Sequence, residues 1–345
     1  MTTPANHSRR DSVPHLDLLS VVYVGRADRT FDDVVTLAEL VGVDVTRVAA
    51  SETERQGVLR LVGIEGDPTK VVASFHPMFA PYFARGQLTL DVRDDSADLL
   101  ELMVAVGATM RGKVLGVIGA HGGAGTSSLA AWLGRLLSDD ETVALVDLDP
   151  ASVGLDFMLA IQREPGRRWP DLSGQGALLP GRLGGALPSW HGVRVLSADD
   201  RGGAPLVGDG AVRAISALSQ VHSWTILDLP PSGAVAGTRE NRWIEWCDHL
   251  LLVTASDSVS LARARVKAAA LGQVAPLTVV AMGVKSKAEA AHVAEVIGVD
   301  SVVPVRRLRG IEGDVNHGLA PGDRSRSDTS RDVRALTRHC LDVVA

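Results

Sequence analysis

The sequence predicts an α/β fold: a small α/β unit followed by a larger, doubly wound domain on a mostly parallel sheet. Three observations lead there. Short apolar runs alternate with helical stretches along most of the chain, the pattern of consecutive β-α units. After residue 112 the apolar runs are continuous rather than alternating, which marks strands covered by helices on both faces. One of these runs, Val114 to Ile118, leads directly into the glycine-rich segment Gly119-Ala-His-Gly-Gly-Ala-Gly-Thr-Ser-Ser128.

Composition sets the bounds. A length of 345 residues suggests two domains, and 46% hydrophobic residues suffice for real cores. The net charge of −6 gives no global footprint for nucleic acid, so specific DNA binding is not expected. The two cysteines, Cys247 and Cys340, lie far apart, which argues against a disulfide scaffold and fits a reducing cytoplasm. The segment Met1 to His15 is polar, carries Arg9-Arg10 without an apolar core after them, and does not read as a signal peptide. No apolar run reaches the roughly 18 residues of a membrane-spanning helix.

Residues 1–16 read as a flexible tail and 17–109 as the first domain. Within it, Leu19 to Val24, Val43 to Ala49, Lys70 to Phe75 and Gln87 to Val92 read as strands. Thr30 to Val41 and Ser96 to Gly107 read as helices, the second with Ser96 as its N-cap. A small parallel sheet is the expectation. Residues 110–345 form the second domain, with strands expected at Val114–Ile118, Val143–Asp147, Val193–Ser197, Trp224–Asp228, Leu250–Thr254, Leu277–Met282 and Ser301–Val305. Gln162 to Gly192, rich in Gly and Pro, reads as an irregular insert packed by Trp169 and Trp190. Residues 319–330 read as a polar loop before a last helix from Arg331 to Val344.

Ligands of an open parallel sheet bind beyond the carboxyl ends of its strands. Three segments fall there. The glycine loop has the layout of a phosphate cradle, with backbone N–H groups and a helix N-terminus aimed at an anion. Val146-Asp-Leu-Asp-Pro150 places Asp147 and Asp149 after the next strand, and Ile226-Leu-Asp-Leu-Pro-Pro-Ser-Gly233 places Asp228. Taken singly, a glycine turn or a helix-capping aspartate explains each. The three in this order are harder to explain that way.

Together they resemble the MinD/ParA family of deviant Walker-A ATPases, over roughly residues 112–320. The family loop reads Gly-Lys-Gly-Gly-x-Gly-Lys-Thr-Thr; here it is Ala120-His121-Gly122-Gly123-Ala124-Gly125-Thr126-Ser127-Ser128. The resemblance implies ATP or ADP with Mg²⁺ in this loop and beside Asp147. It implies Ser127 as the Mg²⁺-binding hydroxyl, Asp228 acting on Mg²⁺ through its water shell, and Asp149 orienting the attacking water. Thr254 to Arg263 is similar to the family segment after the fifth strand. Gly310 to Gly318, with Asp314 and His317, is similar to its C-terminal nucleotide-edge loop.

The domain order resembles more particularly the CpaE/TadZ-like branch, including actinobacterial septum-site-determining proteins. These place a CheY-like pseudo-receiver before a MinD-like P-loop domain. That resemblance implies a homodimer working with division-septum or with pilus and secretion-machinery proteins. It also implies a cytoplasmic protein open to peripheral contact with the membrane and recruitment to pole or septum.

The departures bear on chemistry. His121 replaces the signature lysine that in the family reaches across a dimer, and Thr126 replaces the loop lysine that contacts the β- and γ-phosphates. Without these cations binding should be weak and hydrolysis slow or absent, because charge developing on the phosphoryl group lacks its usual partners. A nucleotide-free scaffold and an active cargo-positioning ATPase remain the alternatives. In the first domain only Asp28 follows the first strand, and Val71 to His76, read as the third strand, lacks an aspartate, so phosphoryl transfer to it is not expected. Arg306, Arg307 and Arg309 form a basic cluster, and Arg331, Arg334 and Arg338 share one side of the last helix. The first is an ordinary solvated surface or a contact for DNA, anionic lipid or a partner; the second marks an ordinary amphipathic helix or, as the alternative, a membrane-surface helix.

Overall fold

The computed structural model describes residues 19–41, 43–49, 56–76, 86–109, 111–150, 152, 154–172, 178, 180–205, 210–234, 241–307, 319–323 and 327–344. The chain divides into two compact units, residues 1–110 and 111–345. The expected tail at 1–16, the segment Gly310 to Gly318 and Arg309 lie outside the described residues.

The first unit carries β1 (Leu19–Val24), α1 (Arg29–Val41), β2 (Val45–Val48), β3 (Gly57–Ile64), β4 (Asp67–Phe75), β5 (Leu88–Asp91) and α2 (Ser96–Thr109). Its sheet has the order β2-β1-β3-β4-β5, which is the order of flavodoxin-like sheets. The directions differ from the all-parallel expectation. β1 pairs in parallel with β2 and β3, but β3–β4 and β4–β5 are antiparallel. The physical reason is a tight hairpin: Gly66, at φ 88°, turns β3 directly into β4, and a parallel partner would need a long crossover instead. The strand read as third, Val71 to His76, thus falls, through Phe75, in the fourth. The true third strand, broken in sequence by Arg60 and Gly63, also ends without an aspartate. Asp28 caps α1, its Oδ1 accepting from the amides of Thr30 (3.1 Å) and Phe31 (3.2 Å).

The second unit is built on an eight-stranded sheet of order β13-β12-β11-β6-β10-β7-β9-β8. Its strands are β6 (Lys113–Gly119), β7 (Val143–Asp147), β8 (Ser189–Trp190), β9 (Val193–Leu196), β10 (Trp224–Leu229), β11 (His249–Ala255), β12 (Leu277–Met282) and β13 (Val302–Val305). All neighbours pair in parallel except β8 with β9. The helices are α3 (Thr126–Leu137), α4 (Leu155–Leu159), α5 (Pro180–Ala186), α6 (Gly210–Val221), α7 (Asn241–Ile244), α8 (Ser258–Leu271), α9 (Lys287–Ile297) and α10 (Asp328–Val343).

The continuous strand runs bury both faces of the sheet. One core joins Leu218, Leu250 and Val279 to α6, α8 and α9; the other joins Leu115, Leu145 and Val253 to α3 and α10. From β6 the chain passes to β7 and β9 on one side, then returns through β10 and continues to β11, β12 and β13 on the other. Such a reversal opens a crevice beyond the carboxyl ends of the central strands. At its other end β6 is fastened by Arg111, whose Nη1 and Nη2 lie 2.7 and 2.8 Å from the Asp248 carboxylate, while Asp248 Oδ2 also accepts from the Val114 amide (2.8 Å).

One further expectation is corrected. The insert from Gln162 to Gly192 is not simply irregular: it contains a 3-10 turn at Trp169–Leu172, α5, and β8 turning back onto β9. A two-residue strand and a glycine-rich helix leave little periodic signal. The last helix turns its apolar side inward, as an ordinary amphipathic helix does. Val333, Leu336 and Cys340 are buried in the core shared with α3, because that side is the only wide apolar stripe it has. Arg306 is paired rather than free, its Nη1 3.1 Å from Asp332 Oδ1. No helix among the described residues is long and apolar enough to cross a membrane.

Candidate nucleotide-binding site

The glycine loop joins β6 to α3 at the crevice. Gly123 and Gly125 adopt φ 77° and 89°, the left-handed region that glycine enters without a Cβ penalty. A Cβ built on Gly122 or Gly123 would meet nothing within 4 Å, so this side of the loop is open. Gly125 is the N-cap of α3 and supplies no side-chain cap. By contrast α8, α9 and α10 are capped by Asp257, Ser286 and Ser327, whose side chains each accept a backbone N–H. The first amides of α3, at Thr126, Ser127 and Ser128, are thus left to an outside acceptor. Ala124 packs downward into the core and fixes the loop from below.

Beneath the loop lie the acids. Asp147 ends β7, and Asp228, one residue before the end of β10, is its register neighbour. Both are buried, at 1% and 5% exposure. Asp147 Oδ1 accepts from the Asp149 amide at 3.1 Å, while its Oδ2 is buried without a hydrogen-bond partner among the described residues. Burial pushes the Asp147 carboxyl up to about 6. Burial pushes Asp228 up to about 8, against the pull of the Ser127 hydroxyl and with a further push from Asp147 and Asp149. Ser127 therefore stands between the loop and Asp228, and among the described residues neither Asp228 nor Asp147 forms an ion pair. Among the described residues no cluster of three or more His, Cys, Asp or Glu could hold a metal ion. A cation here would draw on the Ser127 hydroxyl, the acids and whatever anion the loop carries.

Asp149 lies beyond β7, half-buried, its carbonyl accepting from the Ser152 amide at 3.1 Å. Ser128 faces α4, its hydroxyl donating to Met158 Sδ at 3.4 Å. The insert fixes the acidic edge. Trp169 Nε1 donates to the Asp147 carbonyl at 2.6 Å, and the Trp169 amide to the Ser197 carbonyl at 3.1 Å. Next to it, Arg168 forms a buried ion pair with Asp156 at 2.6 Å and donates to the carbonyls of Gly166, Ile161 and Glu164.

His121 is held within its own chain. Its Nδ1 lies 2.8 Å from the Gly122 carbonyl and its Nε2 2.9 Å from Ser260 Oγ, which donates to Asp257 Oδ2 at 2.6 Å. Thr126 occupies the expected lysine position, its Oγ1 2.8 Å from where a Cβ on Gly119 would stand. A second contact from α8 was not legible in the spacing. Lys267 Nζ donates to the Gly119 carbonyl at 2.8 Å and to the Pro231 carbonyl. The available signal is that Ser260 and Lys267 lie seven residues apart, two helical turns, and so share a face of α8.

No protein-family model matches the sequence. Two uncharacterized proteins of Mycobacterium tuberculosis, from strains CDC 1551 and H37Rv, are each 32% identical over 210 residues, 60% of this chain. The chain's match spans 58% of the length of these curated relatives. Among solved structures it is similar to a ParA family ATPase from Chlorobium tepidum, with a TM-score of 0.54 and 19% identity over 67% of this chain and 99% of that one. It is similar to the MinD cell division protein of Aquifex aeolicus at a TM-score of 0.54 and 16% identity, over 67% of this chain and 97% of that one. The same protein in complex with MinC gives 0.54 and 15%, over 67% and 96%. An ATP complex of Cyanothece McdA gives 0.51 and 18%, over 67% and 97%. The chain therefore carries the P-loop fold found in the MinD and ParA ATPases.

Proposed function

We propose that this protein is a degenerate MinD/ParA-type nucleotide-binding protein that acts through binding rather than turnover. In this reading the loop from His121 to Ser128 takes the phosphates of ATP or ADP, and Ser127, with Asp228 and Asp147, would hold the Mg²⁺ that accompanies them. The observation that carries the reading is the juxtaposition of uncapped α3 amides with buried Asp228 against Ser127 and buried Asp147 beside it on the next strand. The residues fit the cation: two carboxyls driven above their ordinary range, one with an orphaned oxygen, are what a bound divalent ion would relieve. When bound, Mg²⁺ supplies charge neutralisation on the phosphates. The chain's own residues would cradle the anion, hold the hydroxyl of Ser127 toward it and, through Asp149, place a water.

Hydrolysis should be slow, because neither position 121 nor position 126 offers a fixed cation and His121 is engaged by Ser260. The same observation favours a second reading, a scaffold whose loop takes no nucleotide. The role we assign is spatial: placement of the division septum, or assembly of a pilus or secretion machine, by a cytoplasmic homodimer recruited to its site. The first unit serves as a pseudo-receiver that docks or dimerises and does not accept phosphoryl groups. A site with few cations offers little differential affinity between ATP and ADP, so abundance and partner binding should regulate it.

Overproduction in cells tests the role. Wild type and Asp149→Ala should disturb division or pilus assembly alike, and purified protein should show ATP turnover close to background. An effect confined to wild type, or turnover abolished by Asp149→Ala, would show that hydrolysis matters. No effect of either would remove the assigned pathway.

A further inference from the structure

We infer that Lys267 supplies, from α8, the phosphate-directed positive charge that position 126 no longer carries; this rests on the nucleotide reading above. Two side chains lie at Gly119, the residue from which the chain enters the loop. Thr126, standing where the loop lysine is expected, has its hydroxyl 2.8 Å from where a Cβ on Gly119 would stand. Lys267 reaches the Gly119 carbonyl from α8, with 2.8 Å between Nζ and the oxygen.

The second carbonyl that Lys267 bonds, Pro231, follows β10, the strand beside β6. Its ammonium thus sits at the carboxyl ends of the two central strands, next to the strand ends that carry the loop and Asp228. It is half-buried, and among the described residues it makes no ion pair. Burial, and then Arg263, pull its pKa below the ordinary lysine value. A desolvated ammonium answered only by carbonyls is electrostatically incomplete, and an anion arriving at the loop would complete it.

Fastening α8 to the strand ends does not by itself need a charge, since an amide also donates to two carbonyls. Lys267→Gln separates the two roles, because it keeps donors and removes the charge. Calorimetric titrations of the full-length protein with Mg-ATP, Mg-ADP and adenosine should give a graded result. The variant should lose roughly tenfold in affinity for Mg-ATP, less for Mg-ADP and nothing for adenosine, since the loss follows phosphate charge. Adding Thr126→Lys to Lys267→Gln should restore Mg-ATP affinity, and the gain should exceed that of Thr126→Lys in wild type, because the two lysines replace each other. Lys267→Arg keeps the charge and should retain most of the affinity; it also serves should the glutamine variant not fold.

Equal Mg-ATP affinity in Lys267→Gln and wild type would overturn the inference while leaving the nucleotide reading in place. An equal loss for adenosine and Mg-ATP would do the same, assigning Lys267 to fastening alone. If wild type binds neither Mg-ATP nor Mg-ADP, the nucleotide reading fails and the inference falls with it.

Discussion

Replacing Arg168 with alanine is expected to destabilise the protein by about 3–5 kcal/mol, the usual cost of removing one partner of a buried ion pair. Arg168 and Asp156 are exposed by only 5% and 4%. The guanidinium answers the Asp156 carboxylate and three main-chain carbonyls in the turn that leads to Trp169. Truncation leaves the Asp156 carboxylate buried without its counter-charge. Burial already raises the Asp156 pKa despite Arg168, so proton uptake by Asp156 will absorb part of the loss as pH falls. Urea unfolding at pH 8 measures the full effect. A loss under about 1 kcal/mol would mean that water reaches the pair and that the insert is not fastened through it. Because Trp169 hydrogen-bonds the Asp147 carbonyl, the same variant should also loosen the acidic edge of the site.

Asp228→Asn is expected to stabilise the Mg²⁺-free protein at pH 8, by an amount on the order of a few kcal/mol. The sign follows from the raised pKa. Folded Asp228 holds its proton up to about 8, whereas the unfolded carboxyl releases it near the ordinary value of 3.8. Between those limits the folded state binds more protons, so stability falls as pH rises through the window and levels off above it. Asp147, pushed up to about 6, adds to the lower part of the same slope. Denaturant unfolding in a chelator across pH 5 to 8 reads this directly. Wild type should lose stability with rising pH, and Asp228→Asn should show a flatter profile. A wild-type profile that is level, or that rises, would mean that the acids are solvated and not poised for a cation.

The fold of the second unit was largely legible, and the reason is physical. Strands such as Leu250 to Thr254 are buried on both faces, so the sequence itself is an unbroken apolar run. Strand direction in the first unit was not legible, because an apolar pattern is the same whichever way a strand runs. Only the Glu65-Gly66 turn decides it, and β3, interrupted by Arg60 and Gly63, gave no clear run to place on its other side. β8 consists of two residues and carries no period. At the site, glycines mark a backbone shape locally and so can be read from the chain. The contacts from α8 cannot, since Ser260 lies 139 residues from His121, and Lys267 148 residues from Gly119. Only the folded crossing of β11 and α8 brings them to the loop.

In the proposed reading the loop and its acids form a Mg²⁺-dependent nucleotide site weakened by the absence of a lysine at position 126. Calorimetric titration of wild type and Thr126→Lys with ATP, in Mg²⁺ and in chelator, tests it most directly. Wild type should bind weakly and only with Mg²⁺. Thr126→Lys should bind more tightly, by up to the roughly ten- to hundredfold that one charge-assisted hydrogen bond confers. Absence of binding by both proteins at millimolar ATP, or binding that ignores Mg²⁺ and residue 126, would contradict the account.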